Sequence, residues 1–104
     1  MAMWYLVLIG VNSGQLEALR EYERLARPVM ERHGGRFERI MRPASGADAG
    51  FDEVHLLRFE DVAGFEAFRA DPALADARAL REQAVREARL IPVTDVGLES
   101  YFGT

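Results

Sequence analysis

His55 is the residue of this sequence best suited to acid–base chemistry. It lies in the middle of the segment Glu53–Phe59, whose composition predicts a β-strand. Because side chains alternate along a strand, His55 shares a face with Leu57 and Phe59, and its surroundings should be largely apolar. An imidazole in an apolar cleft can act as a general base near neutral pH. The alternative is a core histidine that bonds to a backbone or carboxylate partner.

Three further side chains are candidates for contact with a ligand. His33 ends the apolar stripe of the first predicted helix, where a cationic ring is also favourable beside the last helical carbonyls. Tyr22 lies on the same stripe and could offer its hydroxyl group, although such a tyrosine can equally be a core residue. Trp4 belongs to the first predicted strand, and alternation alone leaves open which sheet face carries it.

Composition excludes several classes of chemistry. The chain has no cysteine, which rules out disulfides, thiolate catalysis and cysteine-ligated metals. His33 and His55 do not have the spacing of metal ligands, and two lone histidines are weak support for haem. There is no glycine-rich phosphate loop, and no serine occupies a nucleophile elbow. We therefore expect no metal and no cofactor, and the net charge of −4 argues against nucleic-acid binding.

These candidates must be positioned by a regular alternation of strands and helices. Asn12 or Ser13 is the expected cap of the first helix, Pro28 should kink that helix, and Gly34 should end it. The long segment Pro43–Asp52 is rich in alanine, glycine and aspartate and is predicted to be a loop. The predicted elements are strand Met3–Val11, a helix to about Arg32, strand Arg36–Arg42, strand Glu53–Phe59, helices Asp61–Ala70 and Pro72–Arg89, and strand Ile91–Leu98, with Pro92 marking an edge.

The order βαββαβ predicts an α+β, ferredoxin-like domain with a four-stranded antiparallel sheet over residues 1–104. The first strand is apolar on both faces, since Trp4, Leu6 and Leu8 alternate with other large apolar residues. Two helices can cover only one face, and leaving the other in water forgoes roughly 1.5–3 kcal/mol per large apolar side chain. A second sheet from an identical subunit would cover it, so we expect a homodimer.

One ion pair is expected on the face turned towards that second subunit. Arg58 and Val54 point away from the helices, and a buried arginine there would need a carboxylate partner. Glu38 on the neighbouring strand is the predicted partner, with a role in dimer register favoured over a role in catalysis.

No membrane role is expected. The apolar run Met3–Val11 has nine residues, whereas a helix needs about twenty to cross a bilayer. It also lacks the flanking pattern of a signal peptide, which favours a cytoplasmic protein.

Two segments of the chain resemble the DUF1330 family, whose members belong to the dimeric α+β barrel superfamily. The resemblance covers about residues 4–98 and is carried by Tyr22, Pro28 and His33-Gly34-Gly35-Arg36-Phe37, and by Phe59, Phe65, Phe68, Asp71-Pro72 and Leu80-Arg81. It implies a barrel dimer with a small-molecule cleft between helices and sheet. The chain departs from relatives at Arg69 and Leu74, where they often carry aromatic residues, and at Met41-Arg42-Pro43.

The resemblance implies a ligand class but no settled activity. Its superfamily includes cofactor-independent monooxygenases, muconolactone isomerase, polyketide cyclases and haem-dependent enzymes, so function taken from the fold is analogy. The enzymatic hypothesis is oxygenation, isomerisation or cyclisation of a hydrophobic carbonyl-bearing metabolite, with His55 as the base. The predicted substrate contacts are Tyr22, His33, Trp4, Phe59 and Phe68. The alternatives are a non-catalytic ligand-binding or accessory dimer and, third, a structural partner of another protein.

Overall fold

The computed structural model describes residues 1–45 and 47–103. The predicted loop Pro43–Asp52 separates the second and third strands, and its residue Gly46 lies outside the described residues. The elements are β1 (Met3–Val11), α1 (Leu16–Arg32), β2 (Gly35–Met41), β3 (Glu53–Phe59), α2 (Val62–Ala70), α3 (Pro72–Asp76), α4 (Arg78–Ala84), β4 (Val85–Val93) and α5 (Leu98–Phe102).

The four strands form one antiparallel sheet in the order β2-β3-β1-β4. The predicted ferredoxin-like fold is therefore confirmed, with β1 and β3 in the centre. β4 lies at an edge, as Pro92 indicated, because proline cannot donate a ladder hydrogen bond.

The two faces of the sheet differ in how far they are covered. Tyr5, Ile9 and Val11 are buried beneath the helices. Trp4, Leu6 and Leu8 alternate with them on the opposite face and are only partly buried. The sheet therefore has one face packed against helices, called here the helix face, and one open face.

Phe59 is the centre of the core on the helix face. It is fully buried at the end of β3, and its ring packs against Phe65 and Phe68 of α2 at centroid distances of 5.3 and 5.6 Å. Tyr5 stacks on Phe65 at 4.0 Å. Gly35 is the first residue of β2 and lies against the Phe59 ring, which leaves no room for a side chain at that position. The aromatic cluster thus joins β1, β3 and α2 at one end of the sheet.

The prediction that one long helix runs from Pro72 to Arg89 was wrong at its C-terminal end. The helical region breaks at Ala77 and stops at Ala84, and the chain from Val85 to Val93 is strand. Nine residues of β1 offer an otherwise unpaired edge, and pairing with it outweighs the helix propensity of the local sequence. The predicted strand Ile91–Leu98 accordingly starts and ends earlier, and Leu98 begins the short helix α5.

The predicted cap of α1 was also wrong. Gln15 is the N-cap residue, and its carbonyl oxygen accepts from the Leu19 N–H at 3.0 Å. The side chain of Asn12 instead donates to the carbonyl of Gln83 at 2.9 Å, which ties the end of β1 to the end of α4. At the other end, Gly34 adopts φ +78° directly after the helix, as predicted for a left-handed terminus.

A bulge in β2 overturns the predicted Glu38–Arg58 pair. Phe37 lies opposite Leu57 but Arg39 lies opposite Leu56, so Glu38 is the extra residue. Its carboxylate pairs with Arg36 on the same strand. The Arg58 guanidinium lies over the ring of Trp4 instead, 5.8 Å from its centroid.

No helix in the described part of the chain is both long enough and apolar enough to cross a membrane.

The close approach at Gly35 predicts a large effect of one added methyl group. A Cβ atom there would lie 2.3 Å from the Phe59 ring and 2.7 Å from Met30, so Gly35→Ala should lower the free energy of unfolding by about 1–3 kcal/mol. Urea denaturation measures this change in the free energy of unfolding. In a Phe59→Leu background the smaller side chain leaves room, and the penalty should shrink. Equal penalties in both backgrounds would contradict this packing.

Candidate functional site

A cleft of about 860 Å³ lies between the helix face of the sheet and the helices α1 to α4. Its apolar floor includes Val7, Leu57 and Leu90 from three strands. Leu90 is 39% exposed although it lies on the helix face, since the helices leave β4 partly uncovered. The polar residues of the lining come mostly from the helices.

His55 reaches this cleft from the central strand β3, and it forms part of a buried polar chain. The ring is 2% exposed, and its Nε2 lies 2.5 Å from Oε1 of Glu53, which is 5% exposed. The second oxygen of Glu53 accepts from Nε of Arg42 at 2.9 Å. Glu53 and His55 are two residues apart on one strand, so both side chains point to the helix face.

This chain of contacts assigns the proton on the imidazole. Because Glu53 accepts a hydrogen bond from the Arg42 guanidinium, we assign Nε2 of His55 as the second donor to its carboxylate. In the neutral imidazole, Nδ1 is then the nitrogen that can accept a proton. Within the described residues Nδ1 forms no hydrogen bond, and His55 belongs to the lining of the cleft.

The carboxyl group of Glu23 lines the same cleft from α1. Burial and, to a lesser extent, the nearby Glu53 carboxylate raise its pKa to about 7, although Arg81 acts in the opposite direction. Glu23 was not among the site residues predicted from the sequence. A signal was present, because Glu23 follows Leu19 by four residues and precedes Ala26 by three, and both neighbours are buried.

Tyr22 and Phe68, two of the predicted ligand contacts, both line the cleft. Each is 8% exposed. Burial raises the pKa of the Tyr22 hydroxyl, Glu23 adds to that rise, and Arg81 opposes it. The hydroxyl therefore stays protonated and can donate a hydrogen bond at neutral pH.

The other three predicted contacts lie elsewhere. Phe59 is enclosed in the core, and Trp4 lies on the open face beside Arg58. Nε2 of His33 lies 2.8 Å from Oδ2 of Asp71, a residue of the cleft wall. The hydrogen bond to His33 is the main reason why the pKa of Asp71 falls to about 2, followed by the bond from the Ala73 N–H. His33 thus reaches the cleft only through Asp71.

The described residues include no cluster of three or more histidine, aspartate or glutamate side chains arranged to hold a metal ion.

A family model for a domain of unknown function, DUF1330, matches residues 5–96. The chain belongs to the DUF1330 family. The predicted resemblance is thereby confirmed over nearly the whole chain. No curated protein matches this DUF1330 chain significantly.

Solved structures share the fold of this DUF1330 protein. A protein of unknown function from Rhodopseudomonas palustris is 26% identical, with a TM-score of 0.77 over 92% of this chain and 83% of that one. A dimeric ferredoxin-like protein of unknown function from Thermobifida fusca is 11% identical, with a TM-score of 0.69 over 91% and 92%. A protein from Nitrosomonas europaea, provisionally named an antibiotic biosynthesis monooxygenase, is 17% identical, with a TM-score of 0.73 over 93% and 92%. The last two show the fold alone.

The raised pKa of Glu23 predicts how stability depends on pH in this DUF1330 protein. Its folded-state pKa lies above the usual value of 4.5, so the folded protein binds more protons than the unfolded chain between about pH 4.5 and 7. The free energy of unfolding contributed by Glu23 therefore falls as pH rises through that window. Glu23→Gln should be more stable than wild type by about 1–3 kcal/mol at about pH 8 and equal to it near pH 4.

Urea denaturation across this pH range measures the difference. Glu17→Gln is the matched control, because Glu17 is exposed on the same helix and pairs with Arg20. Parallel pH curves for wild type and Glu23→Gln would show that Glu23 is not perturbed.

Proposed function

We propose that this DUF1330 protein is a cytoplasmic homodimer whose cleft binds a hydrophobic, carbonyl-bearing metabolite and transforms it without a cofactor. His55 acts as the base. The observation that carries the proposal is the imidazole of His55, which Glu53 holds through Nε2 in the lining of the cleft. The cleft has an apolar floor and a few polar side chains in its walls, which suits a ligand with an apolar body and a few polar atoms.

Proton removal from carbon next to a carbonyl is the step that this arrangement favours. When Nδ1 takes the proton, the imidazolium that forms remains bonded to the Glu53 carboxylate, which stabilises its charge. Arg42 holds the Glu53 carboxylate in place through a hydrogen bond to its second oxygen. Tyr22 supplies a protonated hydroxyl that can orient the carbonyl oxygen and stabilise the enolate. Oxygenation, isomerisation and cyclisation can each begin from such an enolate.

The open face of the sheet supports the homodimer. Leu6, Leu56 and Ile91 lie side by side there across three strands and are only partly covered. A second copy stacked on this face would bury them, at about 25 cal/mol for each Å² of apolar surface removed from water. The Thermobifida fusca protein, which shares the fold, is described as dimeric.

A non-catalytic ligand-binding dimer is the second candidate. The observation in its favour is the 2% exposure of His55, because a base so deeply buried gives a substrate carbon little access. In that case the Glu53–His55 pair is a structural element of the core, and the cleft binds its ligand unchanged.

Native mass spectrometry of the protein purified from cells tests binding and assembly together. We expect twice the chain mass with a reproducible small adduct. Ala75→Trp should abolish the adduct, since Ala75 is exposed and lines the cleft, so that a larger side chain occupies the ligand volume. Ala73→Trp, at an exposed position on the same short helix, is the control and should keep it. A monomer would refute the dimer, and an adduct that survives Ala75→Trp would refute this cleft as its site.

A further inference from the structure

Among the described residues, Glu23 differs from the other glutamates of α1 in lacking an ion-pair partner. Glu17, Glu21 and Glu31 are on the exposed side of α1, and each lies within 4 Å of an arginine one turn away. For Glu23, no such cation is found within that distance in the described part of the chain. Its carboxyl group instead lies on the buried side of the helix, in the wall of the cleft. Such a position is unfavourable for a charged carboxylate and invites a functional explanation.

The position of Glu23 relative to His55 supplies that explanation. His55 enters the cleft from the sheet and Glu23 enters from α1, so the two groups border the same volume from different walls. Glu53 lies near enough to influence Glu23 and is itself bonded to His55. A ligand resting on the apolar floor therefore has a base on one side and a carboxyl group on another.

We infer that Glu23 is the second proton-transfer group of the cleft, and that the reaction is migration of a double bond within an unsaturated carbonyl compound. This inference rests on the proposed function, because it takes His55 as the base. Among the three candidate reactions it selects isomerisation. Isomerisation needs an acid as well as a base and no co-reactant, whereas oxygenation requires molecular oxygen.

The proposed reaction balances within the cleft. Nδ1 of His55 removes a proton from the carbon between the carbonyl and the double bond, and the electron pair of the broken C–H bond forms a dienolate. The neutral carboxyl group of Glu23 then protonates the far end of the dienolate, which restores the carbonyl and leaves the double bond conjugated with it. The imidazolium returns its proton to the Glu23 carboxylate through water, so neither oxidant nor reductant is consumed.

The charges around Glu23 are consistent with an acid at neutral pH. Burial and the Glu53 carboxylate favour its neutral form, with a pKa of about 7, and Arg81 of α4 partly offsets them. A general acid works best when its pKa lies near the working pH. The remaining charged groups of the lining are Arg69, Asp71, Arg78 and Glu82, and Tyr22 is the neighbouring hydroxyl.

The test uses isomesityl oxide, a β,γ-unsaturated ketone, in heavy water. Absorbance follows formation of the conjugated product, and proton NMR follows deuterium exchange next to the carbonyl in the recovered starting ketone. Wild type should catalyse both, and His55→Asn should catalyse neither. Glu23→Gln should retain the exchange but lose conjugation by about 100-fold or more, because His55 still removes the proton and no acid returns it to the far carbon. Glu17→Gln is the control and should match wild type.

The possible failures are distinguishable. Conjugation by Glu23→Gln at the wild-type rate would overturn the role of Glu23. Exchange without conjugation in wild type would overturn the isomerisation while leaving the proposed base intact. Neither reaction in wild type would overturn both the inference and the enzymatic form of the proposed function.

Discussion

The buried carboxylate of Glu53 is the feature on which the rest of the site depends. One oxygen bonds to His55 and the other accepts from Arg42, so a single group fixes the tautomer of the imidazole and is itself neutralised. Breaking a buried pair of this kind by removing one partner typically costs about 3–5 kcal/mol, because the remaining charge is left uncompensated. Glu53 also influences Glu23 on the facing helix, which couples both walls of the cleft to one charge.

The fold explains why this charge can be held so precisely. Glu53 and His55 belong to the central strand β3. His55 is paired with both β1 and β2, and Glu53 is paired with Ile9 of β1, so neither backbone position can shift without disturbing a neighbouring strand. The aromatic cluster around Phe59 anchors the far end of the same strand. Loop residue Asp52, immediately before β3, is fastened to β1 through the carbonyl of Ile9 and the N–H of Val11. The central strand β3 therefore carries Glu53 and His55, and the helices supply the facing walls of the cleft.

The sequence predicted the parts of the structure that depend on periodicity and turn residues. β1, β3, the strand order and the glycine at the end of α1 follow from alternation, an apolar stripe and a residue that tolerates positive φ. It failed where tertiary pairing decides, as at Val85–Val93, where residues with good helix propensity form a strand along β1. The bulge at Glu38 has no local signal, and without it the register across β2 could not be foreseen.

The candidate site likewise contains residues that could be predicted from the sequence and one that was not predicted. His55 was placed correctly on the helix face, and the same alternation would have placed Glu53 beside it. Glu23 was overlooked because a charged residue on a helix is usually assigned to its exposed side, whereas its spacing from Leu19 and Ala26 puts it on the buried side. The raised pKa of Glu23 arises from its burial and from the Glu53 carboxylate, with Arg81 opposing, and these surroundings come together only after folding.

The most direct test of this account is the protonation of the His55 ring at neutral pH, read from long-range nitrogen–proton NMR spectra of labelled protein. His33→Gln separates the signals of the two histidines. The account predicts a proton on Nε2, donated to Glu53, and an unprotonated Nδ1 facing the cleft. A proton on Nδ1 would contradict it, because no basic atom of His55 would then be available to a ligand.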